Sequence, residues 1–534
     1  MEPPDPTDRR DRQVAATLTR TCILAGLCVI PPPPDAIAQV TPPLAAEAQA
    51  SDLLTQLDAI LDLERGKLGD LARRLRAEGK ELEAGRVDAL VARDASEPGG
   101  PSTFRPLPEV VPAGVRALAS VEVNRPELSA AREAAAKALF ELANRAARAP
   151  SPAYALADRC LRLVLERQPD HAEARRLLGF VAFEGGWATP YAAEKRAKGA
   201  VLDPAFGWVP GDWVPRLAKG ELPAPGNDPR RWLPAAEADA LRKDFDRPWQ
   251  ISTEHFQIRT NVPLKDAIAF GRQLEQLHEL FFAVLADVLG PDQLPLAQRF
   301  KNPKLRPSVS SRSSQVSYFA TRDEYARHLA PFLDEGSRTS LGTYVPRKES
   351  KPFGARSYFF NDVGGQLDVT ATLFHEASHQ ILFESAGPDD YARNVGNYWV
   401  FEGLGTYFET LRILPDGRLE IGALQGPRIE VARKRILDGR EFIPIEQLVS
   451  LGGDRFKGDQ GPGDIYLRYA ESMALTIFLM QAERERYREG FLDYVRDAYK
   501  GRFRGGAGKS LEARLGVRYA ELDRAFLAYL RAGR

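Results

Sequence analysis

The segment Thr370-Ala371-Thr372-Leu373-Phe374-His375-Glu376-Ala377-Ser378-His379-Gln380-Ile381-Leu382-Phe383 is the strongest constraint on what this chain can fold into. Residues four apart share one face of an α-helix, so His375 and His379 present two imidazoles to the same point. Ala371, Leu373, Phe374, Ile381, Leu382 and Phe383 supply apolar surface to bury the helix around them. Neutral imidazoles directed inward at this spacing suit a zinc ion, Zn2+. Glu376, beside the first imidazole, is placed to accept a proton from a water at that ion. The ordinary alternative is an accidental pair of core or surface histidines. With only six histidines in the chain, that coincidence is rare.

A third ligand follows in Trp399-Val400-Phe401-Glu402-Gly403-Leu404-Gly405-Thr406-Tyr407-Phe408-Glu409. Glu402 opens a second predicted helix, Glu402–Leu411, and the loop Ser385–Asn397 lets the two helices run antiparallel. Two histidines and a carboxylate leave a fourth coordination place for water, the arrangement of hydrolytic rather than closed structural sites. Against this stand a plain helix-capping role for Glu402 and a competing carboxylate, Glu409, two turns deeper. His255, His278 and His328 lie far apart along the chain, too widely spread to justify another metal site. They read as structural or surface histidines.

The chain has 534 residues, 44% of them hydrophobic and 27% charged, which predicts two or three domains. Lysine plus arginine equals aspartate plus glutamate at 73 each, so charge gives no support for nucleic-acid or anionic-membrane binding. Cys22, Cys28 and Cys160 make no CxxC metal site. Gly505-Gly506-Ala507-Gly508-Lys509-Ser510 is not a phosphate loop, because Phe503 stands where that motif needs glycine.

Residues 1–38 read as a signal peptide: Arg9, Arg10, Arg12 and Arg20 precede the apolar run Cys22–Ile30, and Ala36-Ile37-Ala38 offers a cleavage point. That predicts an exported protein, periplasmic or extracellular; the alternative is a disordered cytoplasmic tail. No later run is long enough to span a bilayer. Residues 39–115 hold a helical segment and a linker. Residues 116–184 form a helical region whose Tyr154–Arg167 and Ala172–Phe183, joined through Pro169-Asp170-His171, resemble a tetratricopeptide-like pair, with an ordinary packed helical subdomain as the alternative. Such helices offer a surface for a protein partner. Cys160 and His171 read as structural. Residues 185–250 form a small module rich in Trp, Gly and Pro, its aromatics either stapling the fold or binding glycan or peptide. From 251 to 534 the pattern is α+β. Strands are predicted over His255–Thr260, Val316–Phe319, Gly342–Val345 and Arg356–Phe360, an exposed loop over Leu294–Ser314, and a mostly helical C-terminal part with a flexible loop at Gly458–Gly463.

The His375-Glu376-Ala377-Ser378-His379 and Glu402-Gly403 pattern resembles the gluzincin metallopeptidases. Together with Val400–Phe408 and Tyr469-Ala470-Glu471-Ser472-Met473-Ala474-Leu475, the chain from about 250 to 530 is similar to the bacterial DUF1570 family. The resemblance implies a thermolysin-like catalytic domain with a small sheet. It also implies zinc held by His375, His379 and Glu402, Glu376 as the base, and peptide or protein as substrate. An oxyanion donor from a later helix is implied too, with Tyr469 the first choice and Tyr466 the second. Relatives often carry an acidic residue four positions after the glutamate ligand. Here that position is Thr406, which leaves Asn397, Glu409 or Asp368 to serve the imidazole. A rival reading is a scaffold protein whose peptidase-like half is inactive; a third is a zinc hydrolase acting on a nonpeptide amide.

Overall fold

Why the helices stop where they do is set by a few side chains. In the computed structural model, the described residues are 43–93, 100–115, 123–225, 231–310, 312–331, 340–346, 355–361, 369–387, 396–500 and 508–533. The predicted signal peptide, Asp368 and the glycine run before Gly508 lie outside them. Helix α1 (Pro43–Ala77) turns at Gly79, where φ is +75°, a conformation that costs glycine nothing. Helix α2 (Glu81–Arg93) then returns and packs Val87 and Leu90 against Leu68, Leu71 and Leu75.

Helices α3 (Pro126–Arg148) and α4 (Tyr154–Arg167) lie beside them. Glu64 of α1 is buried and receives Arg167 Nε at 2.9 Å, so the charge is taken out of water with a partner. Ala153 cannot cap α4. The cap comes instead from the distant Asp287, whose carboxylate accepts the N–H groups of Tyr154 and Ala155 at 2.6 and 3.2 Å. The next helix ends at Leu177, short of the predicted Phe183, because Val181–Phe183 leaves to pair with Gly186–Ala188. A Cβ on Gly186 would sit 2.2 Å from Val111 O, so the Val110–Val111 strand lies against that hairpin only because glycine stands there. Cys160 is buried and its thiol is pushed up to about 12 by desolvation. His171 caps the short helix, its Nδ1 accepting from Ala174 N. The strands of the Trp-rich segment belong to three small antiparallel sheets. Trp213 and Trp232 meet edge-on at 5.2 Å over a core of Val209, Leu217, Leu222 and Trp249.

The sheet that positions the site has five strands: β1 (Trp249–Ser252), β2 (Phe256–Thr260), β3 (Ser314–Phe319), β4 (Gly342–Val345) and β5 (Arg356–Phe360). Their order is β4-β5-β3-β2-β1, with β2, β3 and β5 parallel and both outer strands antiparallel. Helix α5 (Leu264–Val284) makes the crossover from β2 to β3 and buries Phe270, Leu274, Leu277 and Phe281. The predicted loop over Leu294–Ser314 is helical at Pro295–Lys301, where proline opens the first turn and Leu296, Ala297 and Phe300 are buried.

Helix α6 (Val369–Ala386) follows the sheet and packs on β4 and β5. Its apolar face is Leu373, Phe374, Ala377, Ile381 and Leu382, all buried. Gly342 allows the close approach: a Cβ there would lie 3.0 Å from Thr372 Cγ2. Helix α7 (Tyr398–Glu409) lies between α6 and α8 (Ile465–Glu485), and α9 (Arg488–Tyr499) closes the apolar side. A Cβ on Gly403 would stand 2.6 Å from Thr476 Oγ1, so the α7–α8 crossing also depends on glycine. Residues Thr41–Arg534 form one compact unit. No helix among the described residues is long and apolar enough to cross a membrane.

The predicted flexible loop at Gly458–Gly463 is instead tied down. The buried Arg468 guanidinium donates to the carbonyls of Phe456, Gly458, Pro462 and Gly463 at 2.6, 2.7, 3.1 and 2.9 Å. A loop with little apolar content is ordered by one cation.

Candidate metal centre

His375 and His379 project from the middle of α6 toward α7, one turn apart, as helix geometry requires. Their Nε2 atoms are 3.1 Å apart. Glu402 Oε2 reaches in from α7, 3.4 Å from His375 Nε2 and 3.9 Å from His379 Nε2. Three donors on a tetrahedral zinc with bonds near 2.0 Å stand about 3.3 Å from one another. The buried triad therefore has both the donor set and the spacing of a zinc site.

The other oxygen of Glu402 is held away from the histidines. Tyr398 OH donates to Oε1 at 2.7 Å, and Lys457 Nζ lies 3.9 Å from it. The carboxylate is thus divided, one oxygen toward the imidazoles and one fixed by its own helix. Burial disfavours charge on Glu402, yet His375, His379 and Lys457 pull its pKa well below the ordinary carboxylate range.

The orientation of His375 has a legible cause. Its Nδ1 is 2.8 Å from Glu409 Oε1, and Glu409 accepts Arg428 Nε at 2.6 Å and Nη2 at 3.2 Å. Glu402 and Glu409 are seven positions apart, two helical turns, so they lie on one stripe of α7. Gly405 lies between them on that stripe. A Cβ there would be 2.6 Å from His375 Nε2, so the imidazole rests on bare helix backbone between the two carboxylates. Burial alone would lower the His375 pKa. Glu402 and Glu409 outweigh it and hold the metal-free ring up at about 10.

Of the predicted outer acceptors among the described residues, Glu409 is the one at the His375 imidazole. Thr406 spends its hydroxyl on the carbonyls of Glu402 and Gly403, 2.8 and 3.1 Å away. Asn397 starts α7 at φ +60° and accepts from Tyr494 OH. Sequence reasoning passed over Gly405, Tyr398, Lys457 and Arg428. The first was open to discovery from the Glu402-x-x-Gly405-x-x-x-Glu409 stripe, and Tyr398 from its place four residues before Glu402 on the same helix; Lys457 and Arg428 come from contacts that no local spacing encodes.

Glu376 lies on the adjoining face of α6. Its Oε2 accepts the backbone N–H of Tyr344 on the edge strand β4 at 3.0 Å. Burial pushes its carboxyl up to about 7, against the pull of His375. Tyr469, on α8, stands close to Glu402 and Glu376. Burial first, and then those charges, raise its pKa and keep the phenol protonated. Its ring meets Phe456 edge-on at 5.5 Å, with Arg428 over its face at 5.5 Å. Tyr466, the second choice, is 72% exposed. Glu471, next in that motif, is buried, its pKa raised far up by desolvation, and it accepts Ile443 N at 3.3 Å.

The expectation for the remaining histidines is corrected in part. His328 sits among Phe245, Phe319 and Tyr358, an aromatic packing role. His255 and His278, 23 residues apart in sequence, are not spread apart at all: their rings stack at 3.7 Å. The strand–helix crossover from β2 to α5 folds one onto the other, and Glu275 joins them.

A buried His-Glu-x-x-His helix with a glutamate from the next helix is the arrangement of a gluzincin-like zinc site, consistent with zinc-dependent peptide hydrolysis. Residues 369–500, which contain all three ligands and Tyr469, match the family model described as a protein of unknown function, DUF1570. No curated protein matches the chain.

Proposed function

We propose that this protein is a zinc metallopeptidase in which His375, His379 and Glu402 hold the ion, Glu376 moves protons and Tyr469 donates to the oxyanion. The observation that carries the reading is the convergence of two Nε2 atoms and Glu402 Oε2 within 3.9 Å. Zinc bound there supplies Lewis acidity, polarising a carbonyl and acidifying water.

The protein's own groups do the rest. Glu376 takes the proton of the attacking water and returns one to the departing amine. The protonated Tyr469 phenol donates to the oxygen that gains charge as the carbonyl becomes tetrahedral. Glu409, gripped by Arg428, keeps the His375 ring turned toward the ion. Edge strand β4 offers backbone groups to an extended peptide, which fits a peptide substrate better than a small amide. The N-terminal arginines, apolar run and Ala36-Ile37-Ala38 support an exported enzyme.

The deciding experiment is hydrolysis of a broad peptide pool by the zinc-loaded protein and by Glu376→Gln. Cleavage that falls steeply in the variant supports the assignment. Equal cleavage by both removes it and leaves the helical scaffold reading.

A further inference from the structure

We propose a second divalent-metal site, formed by His255, Glu275 and His278, that takes a zinc-class ion independently of the His375 cluster. One ligand atom from each of the three lies within 4.8 Å of the other two. They come from two elements that the crossover brings together. Glu275 and His278 are three apart on α5, so they share a helix face. His255 stands at the entrance to β2 and is already locked to Glu275. Its backbone N–H donates to Oε1 at 2.7 Å, and its Nδ1 lies 2.7 Å from Oε2.

The surroundings supply the reason for a cation. Glu254 and Glu109 face the same group, and Trp208 Nε1 donates to Glu109 at 2.6 Å. The positive groups acting on these carboxylates are His255 and Arg272. Three carboxylates, Glu109, Glu254 and Glu275, thus meet beside the two stacked imidazoles. All three ligand residues line a cavity of about 1780 Å³ that also reaches Glu384 and Arg312, so an ion has an entry path and room for water.

Two imidazoles and one carboxylate suit zinc and its neighbours rather than magnesium or calcium, which take oxygen ligands. The rings stack with planes 17° apart, so their nitrogens lie side by side instead of converging. Loading the site turns one ring out of the stack, a side-chain rotation that leaves α5 and β2 in place.

The test uses the full chain, stripped of metal, reloaded with zinc alone, dialysed, and assayed for metal per chain. The expected count is two for the wild-type protein. It is one for His375→Ala/His379→Ala and one for His278→Asn, each with the wild-type circular dichroism. Cobalt loaded into His375→Ala/His379→Ala should give a visible absorption band that Glu275→Gln abolishes. Glu275→Gln also replaces His278→Asn if that variant does not fold. A wild-type count of one that falls to none in His375→Ala/His379→Ala overturns the proposal, as does a count of two that survives His278→Asn. A single ion lost only in His278→Asn keeps this site and removes the first.

Discussion

In the His375 cluster both imidazoles come from one turn of α6 and the carboxylate from the neighbouring α7. In the His255 cluster the carboxylate and one imidazole share α5, and the second imidazole arrives from the turn that leads into β2. The first has outer partners on each side: Glu409 and Arg428 behind His375, Tyr398 behind Glu402. Its nitrogens therefore converge before any metal binds. The second has a fixed carboxylate and one fixed ring, but the rings face each other. The difference teaches that proximity of ligands is cheap in a folded chain, while convergence requires a shell of hydrogen bonds.

The comparison breaks first on chemistry. Replacing Glu376 by Gln should cut peptide hydrolysis by roughly 10² to 10⁴-fold, the usual weight of a general base. The zinc count should not change, since Glu376 is outside the ligand triad. Tyr469→Phe should lower kcat by about 10² to 10³-fold if its hydroxyl serves the oxyanion. A steady-state split that shows the loss in KM instead would reassign the residue to substrate packing.

Smaller effects sharpen the contrast in organisation. Glu409→Gln should weaken zinc at the His375 cluster by about 10 to 100-fold in a chelator competition, with the His255 cluster untouched. Gly405→Ala forces a methyl into the imidazole and should weaken zinc through overpacking worth about 1–3 kcal/mol. The effect of pH is the smallest per step, one proton's worth for each unit. The metal-free His375 is held protonated up to about 10, and zinc needs the neutral ring. Zinc affinity should therefore rise as pH rises, by about tenfold per unit for one displaced proton while pH stays below that value. Calorimetry in buffers of different protonation enthalpy would count the proton released; a count of zero would contradict the Glu402 and Glu409 contacts.

The parts legible in the sequence were those whose spacing is local. His375 and His379 needed only the 3.6-residue period, and four strands of the five-stranded sheet announced themselves by alternating or aromatic runs, while Trp249–Ser252 stayed hidden in the Trp-rich stretch. Glu402 was legible because two apolar helices separated by a short loop must pack antiparallel. What was hidden depends on long-range closure. His255 and His278 meet only because β2 and α5 fold back on each other. The Leu294–Ser314 stretch looked polar enough for a loop, yet Leu296 and Phe300 found a core. Arg428, nineteen residues beyond Glu409, carries no signal of its own until Pro427–Arg433 is seen packed beside α7's end.

Gly458–Gly463 bears on how the chain next to Lys457 is held. Four main-chain oxygens converge on one guanidinium, like spokes on a hub, and that hub belongs to α8, the helix that also carries Tyr469. The segment beside Lys457 is therefore cast together with the helix that carries Tyr469 rather than hinged to it, so the two shift as one piece or not at all.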